Sequence, residues 1–124
     1  MKQSKNTVLL VDDSATNNLL LQVVFEQNDF AVEVAFSGKD ALKILKRKHI
    51  DVVLLDLMMP QMSGFEVLTA IKENPETAKI PVLIVSADSE RDDADKALAM
   101  GADYFFEKPL QLNAIVEKVK SVLA

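Results

Sequence analysis

Five polar side chains follow short apolar runs of this sequence: Asp12, Asp13, Asp56, Ser86 and Lys108. If the runs are neighbouring strands, three carboxylates share one partly dehydrated volume and repel one another strongly, so a cation must accompany them. Mg²⁺ binds one or two carboxylates and keeps waters and phosphate oxygens as its other ligands. A hydroxyl and an ammonium group at the same edge would complete a site for a phosphoryl group.

The apolar runs have the length and composition of buried strands. Val8–Val11, Val52–Leu55 and Val82–Val85 are rich in branched side chains, which is typical of strands covered on both faces in a parallel sheet. Ala31–Phe36 alternates as a half-exposed edge strand does, with its last residue on the apolar face, and Tyr104–Phe106 is a short aromatic run. The sequence therefore predicts five strands.

Segments with helical spacing separate the strands. Their apolar positions recur every three or four residues: Leu20, Val23 and Val24; Ala41, Leu42 and Leu45; Ala94, Ala97 and Leu98; Leu112, Ile115, Val116 and Val119. Three serines, each three residues before an acid, predict helix starts at Ser37, Ser63 and Ser89. Pro109 fits a first helical position, and Gly101 suits a left-handed cap after the fourth helix.

Strand and helix alternate five times, which predicts an α/β fold with a doubly wound parallel sheet and helices on both faces. In such folds the site lies beyond the carboxyl ends of the strands, where the five polar side chains are expected. A chain of 124 residues has the length of one domain. We expect a single domain over residues 1–124, with a core from about residue 7 to 123.

Composition excludes several classes of function. With no Cys, the chain cannot form disulfides, thiolate nucleophiles or metal sites that need sulfur, and its three Gly lie too far apart for a nucleotide phosphate loop. A net charge of -5 disfavours direct binding to nucleic acid or to an anionic membrane. The N-terminal apolar run is too short for a signal peptide, and none approaches a membrane span, so we expect a cytoplasmic protein.

Four motifs together resemble the receiver domain of two-component response regulators, over nearly the whole chain. They are Val11-Asp12-Asp13-Ser14, then Leu55-Asp56-Leu57-Met58-Met59-Pro60 with Ser63-Gly64, then Val85-Ser86-Ala87, and last Gly101-Ala102-Asp103 leading to Lys108-Pro109. The resemblance covers Thr7 to Leu123 and implies a flavodoxin-like sheet with strand order 2-1-3-4-5. It also implies a bacterial phosphorelay protein.

The resemblance implies a role for each residue of the acidic site. Asp56 resembles the phosphoacceptor, a carboxylate that attacks phosphorus and becomes an acyl phosphate. The Mg²⁺ ion would be held by Asp13 directly, by Asp56, by Asp12 through a bound water, and by the backbone carbonyl of Met58. The domain would then catalyse its own phosphorylation and dephosphorylation as a signalling module rather than act as an enzyme with a small-molecule substrate.

The resemblance also implies a switch at the ends of the last two strands. Ser86 and Lys108 would each contact a phosphoryl oxygen, and the bond from Lys108 to Pro109 would be the cis peptide of the family. As Ser86 moves inward, the aromatic ring three residues before the lysine, Phe105, would fill the space. Because Phe105 has no hydroxyl, the coupling should rest on packing. The switched surface would comprise the fourth helix, the fifth strand and the fifth helix.

The implied partners are a sensor histidine kinase or phosphotransfer protein, which supplies the phosphoryl group, and a downstream protein target. We expect a monomer, or a weak dimer through the switched surface. The sequence ends about where the fifth helix should end. The chain is accordingly either a free-standing regulator or a piece of a larger kinase or regulator.

Three rival functions fit the residues less well. A phosphatase of the dehalogenase type expects a second acid two residues after its nucleophile, and Asp13 is followed there by Ala15. A flavodoxin-like cofactor binder expects a first loop rich in Ser, Thr and Gly, and Asp12 with Asp13 would repel its phosphate. A degenerate receiver that serves only for docking would not need the full set of acids, Ser86 and Lys108.

Overall fold

In the computed structural model, which describes residues 5–86, 91–108 and 111–124, five strands alternate with five helices. In chain order they are β1 Thr7–Val11, α1 Ala15–Gln27, β2 Ala31–Ala35, α2 Gly38–Arg47, β3 Val52–Asp56, α3 Gly64–Glu73, β4 Val82–Ser86, α4 Arg91–Ala99, β5 Tyr104–Glu107 and α5 Leu112–Leu123. The predicted alternation is confirmed.

The five strands form one parallel sheet in the order β2-β1-β3-β4-β5, so the predicted fold class and strand order are confirmed. β1 and β3 are neighbours, with Val8 paired to Val52 and Val11 paired to Leu55. Strand order reverses beside this pair, because the chain goes out to β2 and returns to β3. The residues that follow Val11 and Leu55 therefore emerge side by side at the carboxyl edge of the sheet.

The core has two layers, one on each face of the sheet. On one face, strand residues such as Leu9 and Leu55 form a cluster with residues of α2, α3 and α4, including Ile71. On the other face, strand residues such as Leu10 form a cluster with residues of α1 and α5, including Phe25. Burial on both faces explains why each central strand contains four consecutive apolar residues instead of alternating.

Most of the predicted helix boundaries are confirmed. The Ser37 hydroxyl accepts a hydrogen bond from the Asp40 backbone N–H, and Ser63 forms a reciprocal capping box with Glu66. Gly101 has φ +109°, as expected of a glycine that ends a helix. Two predicted starts, at Ser89 and at Pro109, fall on residues outside the described part of the chain; α5 begins at Leu112.

The predicted apolar face of α1 is wrong for Leu20 and Val23, and of the predicted residues only Val24 packs against the core. The helix buries Asn18, Leu21 and Phe25, and leaves Leu20 49% and Val23 46% exposed. Apolar residues surround most of this helix, so their spacing fits several faces, and only contact with the sheet decides between them. Leu98 on α4 is likewise exposed, although the spacing placed it in the predicted stripe.

The second strand is one residue shorter than predicted. It ends at Ala35, and Phe36 is exposed instead of continuing the apolar face of the strand. β2 lies at an edge of the sheet, as predicted. Because only one neighbour pairs with an edge strand, nothing extends the ladder past the end of β1.

Within the described residues, no helix combines the length and the apolar character that crossing a membrane would require.

Candidate functional site

Three carboxylates meet where β1 and β3 end. One oxygen from each of Asp12, Asp13 and Asp56 lies within 4.8 Å of the other two. Asp12 and Asp56 are buried, whereas Asp13 is exposed to solvent. The structure thus brings together the acids that the sequence placed at neighbouring strand ends, with one side of the cluster open to a ligand.

Asp12 is held by donors from the start of α1. The Ser14 backbone N–H donates to Asp12 Oδ1 at 2.9 Å, and Asn17 Nδ2 donates to Asp12 Oδ2 at 3.2 Å. The Asp12 backbone N–H donates to the carbonyl oxygen of Ala35 at 3.2 Å, which fixes the chain as it leaves β1. The two bonds to the carboxylate fix the orientation of the Asp12 side chain, and the backbone bond fixes the chain that carries it.

Lys108 reaches the acids from the end of β5. Its ammonium nitrogen lies 3.3 Å from Asp12 Oδ2 and 3.9 Å from Asp56 Oδ1, and its side chain is only 18% exposed. The Lys108 backbone N–H donates to the carbonyl oxygen of Ser86 at 2.8 Å, so the ends of β4 and β5 are tied together. A single positive charge therefore compensates two buried carboxylates.

One ammonium group does not offset the cost of ionising Asp56. Burial raises the pKa of Asp56 from 3.8 to about 6, and the charges of Asp12 and Asp13 add to the rise. Lys108 and a hydrogen bond from the Met58 backbone N–H, at 3.2 Å, act in the opposite direction. The site thus has a deficit of positive charge at neutral pH.

The donor set suits a hard cation. Carboxylate oxygens are the ligands that hard divalent cations take, and these three oxygens lie close enough together to share one ion. A cation here would also relieve the repulsion that raises the pKa of Asp56. The acids Asp12, Asp13 and Asp56 could therefore hold a metal ion.

The other predicted site residues lie on β4, on β5 and just after β3. Ser86 is fully buried at the end of β4, and in the β4–β5 register it stands opposite Glu107. Phe105 is half-buried and packs against the core cluster beneath α2, α3 and α4. Met58 is exposed beside the phosphoacceptor candidate Asp56. The roles of these residues stay predictions, and the predicted cis peptide involves Pro109, outside the described residues.

Sequence reasoning missed two asparagines of α1 that contact Asp12. Asn17 donates to the Asp12 carboxylate, and Asn18 Nδ2 donates to the Asp12 backbone carbonyl at 2.8 Å. Their only signal in the sequence is a pair of amides directly before the apolar run Leu19–Leu21. Because such residues usually lie on the surface, the helical phase was needed to place Asn18 in the interior.

Replacing Asp56 with Asn should stabilise the metal-free protein at neutral pH. The pKa of Asp56 is about 6 in the folded protein, against an ordinary value of 3.8. Between these two pH values the folded wild-type protein therefore binds more protons than the unfolded chain. Its stability falls as the pH rises through this range. Above pH 6 the loss is complete, at about 3 kcal/mol. Urea unfolding in EDTA should show Asp56→Asn more stable by that order at about pH 7.5 and nearly equal to wild type at about pH 3. An equal difference at both pH values would contradict the prediction.

Comparison with protein families gives one clear match. A family model described as the response regulator receiver domain matches residues 8–120. The chain is 40% identical to a Vibrio cholerae protein named "Probable cyclic di-GMP phosphodiesterase", over 97% of this chain and 27% of that protein. It is 36% identical to the response regulator PleD of Caulobacter vibrioides, over 93% of this chain and 25% of that protein. The chain thus spans about a quarter of the length of these relatives.

Solved structures show the same fold. The chemotaxis protein CheY4 of Vibrio cholerae aligns with a TM-score of 0.91 at 26% identity, covering 97% of this chain and 100% of that one. The receiver domain of the Francisella response regulator 1452 aligns with a TM-score of 0.89 at 28% identity, covering 96% of this chain and 97% of that one.

Proposed function

This chain belongs to the family of response regulator receiver domains, and on that premise we propose that Asp56 accepts a phosphoryl group from a phosphohistidine of a partner protein in a Mg²⁺-dependent reaction. The observation that carries the proposal is the convergence of Asp12, Asp13 and Asp56 within 4.8 Å, with Lys108 beside them. Intact-mass measurement after incubation with acetyl phosphate and Mg²⁺ tests it, because one phosphoryl group should be gained.

In the proposed reaction, one carboxylate oxygen of Asp56 attacks phosphorus in line with the P–N bond of the donor. The new O–P bond forms as the P–N bond breaks. The electron pair of the P–N bond stays on the imidazole nitrogen of the donor. Asp56 must be ionised to attack, and its pKa of about 6 leaves it largely ionised at neutral pH. Lys108 lies within 4 Å of both buried acids, where it can pair with a phosphoryl oxygen.

The acids would hold Mg²⁺ in the manner that the family suggests. Asp13 and Asp56 would bind it directly, Asp12 through a water, and Met58 through its backbone carbonyl. When bound, Mg²⁺ supplies positive charge that stabilises the charge developing on the phosphoryl oxygens.

Phosphorylation would switch the surface formed by α4, β5 and α5. The acyl phosphate adds about 1.5 to 2 negative charges at the strand ends, and the Ser86 hydroxyl would turn toward it. Phe105 would move into the space that Ser86 leaves. The hydrogen bond from the Lys108 backbone to Ser86 supports this coupling, because it joins the two strands that carry these residues. A downstream target protein would bind the altered surface.

An exposed apolar surface beside the acids suits the phosphodonor protein. We define it as Leu19, Leu20, Val23 and Phe36, of which Leu19 is 60% and Phe36 51% exposed. A groove of about 500 Å³ runs past it and begins at Ala15, two residues after Asp13. Contiguous exposed apolar residues mark protein contacts. A donor docked here would lie next to Asp56, so we propose this surface as its binding site.

Leu19→Glu should slow phosphotransfer from a histidine kinase that phosphorylates the wild-type chain by at least about tenfold, because a charge would be buried in the interface. Labelling by acetyl phosphate should be unchanged, since this small donor needs no docking surface and Leu19 is an exposed residue outside the set of acids. Leu98→Glu is the matched control, because Leu98 is also an exposed leucine but lies on α4. If Leu19→Glu slowed both reactions, or neither, the assignment of the donor surface would be wrong.

A further inference from the structure

Asn18 is a polar residue on the buried face of α1. Its side chain is 2% exposed and shares that face with Leu21 and Phe25. Asn18 Nδ2 donates to the carbonyl oxygen of Asp12 at 2.8 Å, whereas Asn18 Oδ1 has no hydrogen-bond partner among the described residues. Buried polar atoms are nearly always hydrogen-bonded in folded proteins, so we expect this oxygen to have a partner such as a water molecule.

A small cavity lies next to this amide. Its volume is about 10 Å³, and its lining includes Asn18, Asp12 and Asp56 together with apolar residues such as Leu21 and Val85. That volume is close to the minimum that one water molecule occupies, and buried waters typically make about three hydrogen bonds to polar groups that otherwise lack partners. Asn18 Oδ1 and one carboxylate oxygen of Asp12 or Asp56 would accept the two hydrogen bonds that a single water can donate.

We propose that Asn18 is a positioning residue of the acidic site, which fixes the backbone of Asp12 and holds one water molecule in the cavity beneath the acids. The inference rests on the proposed function, because its consequence is the alignment of the Mg²⁺ ligands. The carbonyl that Asn18 binds belongs to the peptide that joins Asp12 to Asp13. Since a peptide group is planar, holding this carbonyl orients the backbone on both sides of it, and with it both side chains.

Asn18→Leu removes both hydrogen-bonding groups and nearly keeps the side-chain volume. Groups that orient metal ligands typically change metal affinity by 10- to 100-fold when they are lost. We expect Asn18→Leu to weaken Mg²⁺ binding by about tenfold, measured calorimetrically without any phosphodonor. Leu21→Ala is the matched control: it alters a buried residue of the same helix, and the same cavity, without removing a hydrogen bond. It should lower the midpoint of urea unfolding and leave Mg²⁺ affinity within about twofold of wild type.

A positioning role would be overturned if Asn18→Leu bound Mg²⁺ as tightly as wild type, or if both variants lost affinity equally. Wild-type protein that bound no Mg²⁺ would instead refute the proposed function. A high-resolution crystal structure of the wild-type chain tests the water separately and does not depend on the folding of any variant. We expect one water within hydrogen-bond distance of Asn18 Oδ1. A cavity without electron density, or an Asn18 Oδ1 bonded to another protein group, would overturn the water site.

Discussion

Asp56→Asn should abolish the gain of one phosphoryl group that intact-mass measurement detects in the wild-type chain after incubation with acetyl phosphate and Mg²⁺. The amide oxygen of Asn is a poor nucleophile, and the O-phosphorylated amide that it would form would not be stable. The neighbouring acids do not substitute well. Asp12 already accepts hydrogen bonds from Ser14, Asn17 and Lys108, and exposed Asp13 is the direct metal ligand in the proposed site.

Asp51→Asn is the matched control for this experiment. Asp51 precedes β3, whose other end carries Asp56, and its carboxylate accepts a hydrogen bond from the Thr7 backbone N–H at 2.7 Å. It therefore lies at the opposite edge of the sheet from the acidic site. Asp51→Asn should still gain the phosphoryl group. Undiminished labelling of Asp56→Asn, or labelling that disappeared in Asp51→Asn, would remove the assignment of Asp56 as phosphoacceptor.

The fold could be predicted from sequence because its strongest signals are local. Val52–Leu55 is apolar at every position, which is typical of a strand buried on both faces. Ile115, Val116 and Val119 give α5 one clear apolar stripe. α1 has no such contrast, since Leu19 to Leu21 and Val23 to Phe25 cover most of its circumference. Which face is buried then depends on where the helix contacts the sheet, which is a tertiary property.

The positions of the buried acids could be predicted from the sequence, because these acids lie where the strands end. Once β1 and β3 are neighbours, Asp12 and Asp56 must emerge together, and the sequence alone locates both. The residues that orient these acids could not be found in this way. Asn18 reaches the Asp12 carbonyl because it lies on the buried face of α1 beside Leu21 and Phe25, against the usual preference of amides for the surface. The pKa of Asp56 likewise depends on burial and on neighbours that are distant in sequence.

Gly64→Ala should destabilise the protein severely, because Gly64 lies against the backbone of Asp56, the proposed phosphoacceptor. A Cβ at this position would meet the carbonyl oxygen of Asp56 at 2.4 Å and the Cα of Leu57 at 2.6 Å. The Gly64 backbone N–H also donates to the Leu57 carbonyl at 3.0 Å, so the start of α3 cannot move away without losing that bond. We expect a loss of about 3 kcal/mol or more in the free energy of unfolding, and weaker acetyl phosphate labelling because Asp56 is displaced.

Gly38→Ala provides the comparison that isolates the cause. Gly38 and Gly64 each begin a helix directly after a serine cap, and both are buried, so the helix-propensity gain of about 1 kcal/mol from Ala applies to both. A Cβ at Gly38 would meet side chains, Val67 Cγ2 at 2.6 Å and Met62 Sδ at 2.7 Å. The flexible Met62 side chain can turn away, but Val67 is fully buried and β-branched, so Gly38→Ala should also cost stability. At Gly64 the clash is with the backbone of Asp56 and Leu57, which no side-chain rotation can relieve. Urea unfolding should therefore show a larger loss in the free energy of unfolding for Gly64→Ala than for Gly38→Ala. Acetyl phosphate labelling should be reduced only in Gly64→Ala. The reverse order of stability would show that contact with the Asp56 backbone is not the reason why position 64 requires glycine.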